Sequence, residues 1–351
     1  MARFGLPVAL ACVLAVLAVA CSDSDGSLGE LDTLDDTAAD STEVDGAAED
    51  AASPDDDEPA VQIASLNVLH GNPIAAPECA ESDQCGAPDR VALLMRHIEE
   101  SGCPQVVTLQ EVDTRMEELI DAALPEVCDG AYTSSLLADQ AVSLGIDREM
   151  ILTTLSIESE TLLDLPTVPW SAHHAVIDSP LGPIDLVTTH LASGSNNPLC
   201  TETECAPVCE PTDDARLCGA RQIVDHLESA GGNALQIVTG DLNERPGEAA
   251  HQLFLDAGFA DAWAQARMSE CEESGDEGCT SGLSSEDLTD PVAQTESRID
   301  YILVKPSPEC AVNLSEQDVS GWANEPADPV GQSGIVWVSD HTGLIATIAC
   351  Y

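Results

Sequence analysis

The chain has 351 residues, with 64 acidic side chains against 11 basic ones and a net charge of −53. A field of that sign repels polyanions, which argues against non-specific nucleic-acid binding without metal or salt. Lys305 is its one lysine, and the alternative meaning of so acidic a surface is adaptation to salt.

Residues 1–20 carry a single charge, Arg3, followed by an apolar run that ends in Leu17-Ala18-Val19-Ala20-Cys21. The run has the length of a signal-peptide core and is short for a membrane span. Small residues ahead of a cysteine resemble a bacterial lipobox, although Ala18 stands where leucine is usual. The resemblance implies cleavage before Cys21, a lipid on Cys21 and attachment to the membrane through that lipid. Ser22 then points to the outer membrane or cell surface rather than the inner membrane. Residues 21–60 form the expected tether, because from Ser22 to Ala60 there is no basic and no aromatic residue. Such a segment buries too little apolar surface to offset its chain entropy. Fifteen of the 64 acids lie in this stretch and Arg3 is one of the 11 bases, so residues 61–351 carry a net charge of −39. That length suits one large domain, expected to be monomeric.

Within the domain, apolar runs predict strands at Val61–Leu66 and Gln105–Leu109, with an amphipathic helix at Asp89–Ser101 between them and another at Thr114–Ala123. Strands follow at Glu149–Leu155, Ala172–Ile177 and Pro183–Thr189. A helix is expected at Asp213–Ala230, a strand at Leu235–Thr239 and a helix at Gly247–Ala257. Ile299–Val304, Ile335–Val338 and Thr342–Ile348 complete the strands. Helices between some strands and consecutive strands elsewhere predict mixed sheets. Two long insertions, Ser193–Asp214 and Arg267–Ser297, contain cysteines and are expected to be stapled.

The cysteines support export. Of 14, Cys12 falls in the leader and Cys21 is the candidate lipid site, which leaves an even twelve. Cys79/Cys85, Cys103/Cys128, Cys271/Cys279 and Cys310/Cys350 are the expected pairs, and Cys200, Cys205, Cys209 and Cys218 pair among themselves. A zinc site in that last group is the rival explanation.

Polar residues recur at the ends of the strand-like runs. Asn67 follows Ile63–Leu66, Glu111 follows Val106–Gln110 and His190 follows Leu186–Thr189. Asp241 and Asn243 follow Ile237–Gly240, Asp300 begins Tyr301–Val304, and Asp340 and His341 follow Ile335–Ser339. Singly, each is explained by a turn, a helix cap or a structural histidine. Strand ends of a layered α/β domain can converge on one edge, and there these residues would form one cleft.

In this order the motifs Ser65-Leu66-Asn67-Val68-Leu69, Leu109-Gln110-Glu111-Val112, Thr188-Thr189-His190-Leu191, Gly240-Asp241-Leu242-Asn243 with Arg245-Pro246, Arg298-Ile299-Asp300-Tyr301 and Ser339-Asp340-His341 resemble the endonuclease/exonuclease/phosphatase superfamily. The resemblance implies an α/β fold, a four-layer α/β/β/α sandwich of two mixed sheets. It implies a hydrolase of phosphate esters that uses a divalent cation, Mg²⁺ first and Mn²⁺ or Ca²⁺ as alternatives, held by Glu111 with Asn67 and completed by Asp340. His341 would orient or deprotonate water, with Asp300 fixing its tautomer. Asp241 would serve as base or proton donor, and Asn243 and His190 would hold the phosphate oxygens. The matching region departs from the superfamily at Ser171-Ala172-His173-His174, where an arginine is common, and at Thr154, where a serine is. His173 and His174 are expected to be ordinary strand residues, with substrate contact as the alternative. The substrate is left open among nucleic acid, a phospholipid headgroup and a small phosphate ester, and the rival class is a binding module that keeps the fold without catalysis.

Overall fold

The computed structural model describes residues 59–70, 83–137, 147–166, 170–194, 197–200, 209–231, 234–284, 286–331 and 333–351. The expected leader, the lipid site at Cys21, nearly all of the tether, Cys79 and Cys205 lie outside them.

The strands are β1 (Ala60–Asn67), β2 (Val106–Gln110), β3 (Thr133–Leu136), β4 (Met150–Thr153), β5 (Ser156–Asp164), β6 (Ser171–Ser179), β7 (Gly182–His190), β8 (Leu235–Asp241), β9 (Ala260–Asp261), β10 (Asp300–Lys305), β11 (Val319–Trp322) and β12 (Gly343–Ala349). The helices are α1 (Asp83–Glu100), α2 (Thr114–Ala123), α3 (Ala215–Ser229), α4 (Ala249–Asp256) and α5 (Ala262–Gln265). One six-stranded sheet runs β11-β12-β1-β2-β4-β3 and the other β5-β6-β7-β8-β10-β9. Among the described residues only β1–β2 and β7–β8 pair in parallel, so both sheets are mixed.

Alternation along each strand builds four layers. Val61 and Ile63 of β1 meet Ile184 and Leu186 of β7 and Ile237 of β8 between the sheets. On the outer faces, Leu66 and Leu109 pack on Val91, Leu94 and Ile98 of α1 and Met116 and Ile120 of α2. Val187, Val238 and Leu303 pack on Ile223 and Leu227 of α3 and Phe254 of α4. Asp113 caps α2 by accepting from Met116 N at 2.8 Å, and Asp214 caps α3 by accepting from Leu217 N at 2.8 Å. Cys85 and Gly86 have positive φ near the start of α1, and Pro88 follows, so the regular turns begin close to the predicted Asp89. No helix among the described residues is long and apolar enough to cross a membrane.

Cys103–Cys128, Cys271–Cys279 and Cys310–Cys350 are disulfides as expected, and Cys209–Cys218 joins two of the four-cysteine group. Cys85 and Cys200 are disulfide-bonded as well. The expected strand at Ile335–Val338 is not one. Its side chains are buried, but Val336 N donates to Leu288 O and Val336 O accepts from Ala327 N, so loops take its backbone bonds.

Gly240 shows how tightly β8 lies against β7. Its φ is 125°, and a Cβ there would sit 2.0 Å from Thr189 O. Gly240→Ala is expected to lower unfolding free energy by about 1–3 kcal/mol or more, read from denaturant melts.

Candidate active site

The same alternation decides what each strand presents at its end. On β1 the inter-sheet face runs Val61, Ile63, Ser65, Asn67; on β7 it runs Ile184, Leu186, Thr188, His190; on β8 it runs Leu235, Ile237, Thr239, Asp241. The antiparallel register of β10 sets Asp300 opposite Asp241. The apolar stripe between the sheets thus gives way to polar groups at one edge. Beneath them Gln110 Nε2 donates to Ser65 Oγ at 3.3 Å and Thr188 Oγ1 at 2.9 Å, joining the two sheets. Glu111 and Asn243 lie just past their strands with φ of 60° and 53°. Left-handed backbone at non-glycine residues is uncommon and costly, and it collects at functional sites.

Six of the eight predicted catalytic and metal residues form one set of side-chain contacts, and a seventh, Asn243, joins it through its backbone amide. Asn67 Nδ2 donates to Glu111 Oε1 at 3.0 Å and to Asp241 Oδ2 at 3.2 Å. His341 Nδ1 lies 3.0 Å from Asp300 Oδ2, and His341 Nε2 lies 3.9 Å from Asp241 Oδ2. His190 Nε2 is 3.7 Å from the same Asp241 oxygen, and His190 Nδ1 is 3.9 Å from Glu111 Oε1. Asn243 N donates to Asp241 Oδ1 at 2.7 Å, while Asn243 Nδ2 donates to Leu191 O at 2.9 Å. Asp340 accepts from Ser339 Oγ at 3.1 Å and is close enough to Glu111 to feel its charge. The amide oxygen of Asn67 is taken by Leu69 N at 3.1 Å, so this residue turns its NH₂ toward the carboxylates and acts as their holder.

Electrostatics follow from burial and crowding. Burial pushes Glu111 up, but His70, His190 and the Asn67 hydrogen bond pull it down to about 2. Burial and the Asp300 charge push Asp241 up to about 6. Burial works against the charge on His341, yet Asp300, Asp241 and Asp340 raise it to about 10. His190 is likewise lifted well above the usual imidazole range against burial, chiefly by Asp147.

Several participants went unforeseen. His70 donates its amide to Glu111 Oε2 at 3.2 Å, with Nε2 at 3.5 Å from the same oxygen. Asp147 sits 3.0 Å from His190 Nδ1. Buried Arg90 of α1 gathers the carbonyls of Val68 and Leu69, which hold the turn after Asn67. Asp147 follows no strand-like run and His70 lies beyond a quoted motif, so neither carried a periodic signal. His173 and His174 bond Glu160 and Asp185 within the β5–β7 part of the sheet, as ordinary strand residues do.

Glu149 is a neighbour of Asp147 and His190. Its Oε2 accepts from Ser171 Oγ, its Oε1 is buried without a hydrogen bond, and burial and Asp147 push its carboxyl up to about 8. A carboxyl whose folded value lies above the unfolded one, about 4.3, costs stability as pH rises between the two. Glu149→Gln is therefore expected to raise the melting temperature at about pH 8 and to leave it unchanged at about pH 4.

Among the described residues, two clusters bring three possible ligands together. Cys200, Cys209 and Cys218 come together, but all three are disulfide-bonded and offer no thiolate, which removes the zinc alternative for them. At the strand ends the donors are hard oxygens. Burial raises Asp340, the His341 charge lowers it and the charge of Glu111 raises it, and half-buried carboxylates that feel one another's charge fit the donor chemistry of Mg²⁺ or Ca²⁺. Asp241, Asp300 and His341 also bring one donor atom each within 4.8 Å of one another.

Residues 64–341 match the endonuclease/exonuclease/phosphatase family, and the chain belongs to it. The enzymes of this family are phosphoric ester hydrolases that generally use divalent metals. Among solved structures, a humanized zebrafish (Danio rerio) TDP2 superposes with a TM-score of 0.58 at 18% identity, covering 82% of this chain and 98% of its own. A Bacteroides thetaiotaomicron mannosyl-6-phosphatase superposes with a TM-score of 0.57 at 17% identity, covering 82% and 99%. The human Nocturnin catalytic domain with bound sulfate gives 0.53 at 16% identity, covering 84% and 94%. At these identities the likeness is one of fold. A search of curated protein sequences returns no match.

Proposed function

We propose that the chain is an exported, lipid-tethered, divalent-metal-dependent phosphoesterase that hydrolyses small phosphate monoesters or diesters. The observation that carries this is the single cluster in which Asn67, Glu111, His190, Asp241, Asp300 and His341 are linked by separations of 3.0–3.9 Å.

Glu111 and Asp340 would hold the cation, with Asn67 and His70 keeping Glu111 in place. When bound, such an ion supplies positive charge against the negative charge that develops on the phosphoryl oxygens. Asp300 accepts from His341 Nδ1 and so leaves Nε2 facing Asp241 and the cleft. The carboxylates around His341 hold it protonated at neutral pH on their own. With that negative charge offset by a bound cation, the neutral imidazole takes the proton of the attacking water on Nε2, and Asp300 stabilises the imidazolium that results. Asp241, lifted to about 6, hands a proton to the leaving oxygen. His190, oriented by Asp147, and Asn243 hydrogen-bond the phosphoryl oxygens. The water attacks phosphorus in line, without a covalent enzyme intermediate.

The net charge of −39 on residues 61–351 favours a small ester over a polynucleotide. The mannosyl-6-phosphatase of like fold, a phosphatase by name, is consistent with that preference. Export and attachment at Cys21 are supported by residues 1–20 and by the disulfides, which persist in oxidising compartments. The test is a panel of a bis-aryl phosphate, a sugar phosphate, plasmid DNA, sphingomyelin and phosphatidylcholine, with Mg²⁺, with Ca²⁺ and with chelator. Chelator-sensitive hydrolysis of the small esters is expected. Faster cleavage of DNA or of the lipids would replace the substrate assignment, and inertness to the whole panel would favour a binding module.

A further inference from the structure

The segment Arg267–Ser297 looks from its sequence like an acidic surface insertion, yet its hydrogen bonds lead to the proposed base His341 and to Asp300, the carboxylate that orients it. Cys271–Cys279 staples its first half. The next residue, Thr280, is 1% exposed. Its hydroxyl oxygen accepts from Ile299 N at 3.1 Å and from Asp300 N at 3.2 Å. Strand β9 pairs only with Leu303 and Val304 of β10, and the amides at the start of β10 turn to this hydroxyl instead. On its other side the Thr280 carbonyl accepts from Thr342 N at 2.7 Å. The Cys279 carbonyl accepts from Thr342 Oγ1 at 3.1 Å, and Ser281 bridges both Ser297 and His341. Three consecutive residues, Cys279 to Ser281, are thus bonded to the chain at Asp300 and to the chain at His341–Thr342. Asp300 begins a strand of one sheet, and His341 precedes β12 of the other.

We infer that Thr280 is a positioning residue for the Asp300–His341 pair, and that the stapled segment it belongs to sets the separation of acid and imidazole across the two sheets. The inference rests on the proposal that this pair is catalytic. A buried hydroxyl that accepts from two successive amides fixes the backbone at Asp300, and its own carbonyl fixes the backbone one residue past His341. Loss of the hydroxyl leaves two buried amides without an acceptor and lets the strand start shift relative to His341. A misplacement of about 1 Å costs on the order of 10²-fold in rate.

The experiment compares wild type, Thr280→Val, Thr280→Ser and His341→Ala on a bis-aryl phosphate with saturating Mg²⁺, with melting temperatures alongside. Thr280→Val is expected to lower kcat by about 10- to 100-fold with KM within about 2-fold, while Thr280→Ser, which keeps the oxygen, returns most of the rate. If Thr280→Val does not fold, the Cys271→Ser/Cys279→Ser pair replaces it, with a fall in kcat at unchanged KM again expected. Wild-type kcat in the folded variant overturns the inference, as does equal impairment of Thr280→Ser. An active His341→Ala would instead overturn the assignment of the pair itself.

Discussion

His341→Ala is expected to lower kcat by about 10²–10⁴-fold, the range that a positioned acid or base contributes. The side chain lies at the cleft, 11% exposed, and its contacts are to Asp300 and Asp241 rather than to the apolar core. The fold should therefore survive the change, and near-UV circular dichroism should match wild type. Asp300→Asn separates the chemistry from simple loss of a side chain. An amide in place of the carboxylate can donate to Nδ1, which favours the tautomer with its proton on Nε2, the wrong nitrogen for a base. The two variants should fall within about ten-fold of each other, because residues that act as a unit are not additive. Rates at saturating substrate and metal, compared with wild type, decide the matter.

The largest expected loss of stability lies at the far end of the same motif. Arg298 is 1% exposed and donates at 2.8 Å to Asp261 and, twice, to Glu270, with its guanidinium 4.8 Å from the centre of the Tyr301 ring. Arg298→Met keeps much of the packing but leaves Asp261 buried with only His251 and its own helix-capping bonds. Removing one partner of a buried ion pair costs about 3–5 kcal/mol, and a loss of that size is expected from denaturant melts near pH 7. The effect should depend on pH in a definite direction. Burial pushes Asp261 up, but His251 and Arg298 hold it below the ordinary carboxylate value. Its contribution is present above the unfolded value, about 3.9, and is lost as pH falls through the lower folded one. The gap between wild type and Arg298→Met should accordingly narrow below about pH 4.

What the sequence made readable was the set of apolar runs that end in polar residues. The structure adds that Val61, Ile63, Ser65 and Asn67 are one face of one strand, and that the same is true of the residues leading to His190 and Asp241. A polar group ending an apolar stripe is visible without coordinates, and the order of such groups pointed to the superfamily. Strands without an apolar face were invisible for the same reason. β3 is Thr-Ser-Ser-Leu with no fully buried side chain, and β5 is largely exposed, so each belongs to its sheet only as an edge strand paired with the strand that follows it. Ile335–Val338 misled in the other direction, because burial under a loop produces the same apolar run as burial in a sheet. Asp147 and Thr280 act through partners far along the chain, and nothing in their own flanks marks them. The insertion 267–297 was recognised as stapled, but its connection to Asp300 and His341 is a property of three-dimensional pairing alone.

The proposed hydrolysis depends on a cation held by Glu111 beside the Asp300–His341 pair. The most direct measurement is the rate of bis-aryl phosphate hydrolysis by wild type and Glu111→Gln, each with Mg²⁺, after chelation and after Mg²⁺ is restored. Wild type should lose activity to the chelator and regain it with metal, and Glu111→Gln should be at least about 10²-fold slower whenever Mg²⁺ is present. Hydrolysis that ignores the chelator, or a Glu111→Gln variant as fast as wild type, would contradict it.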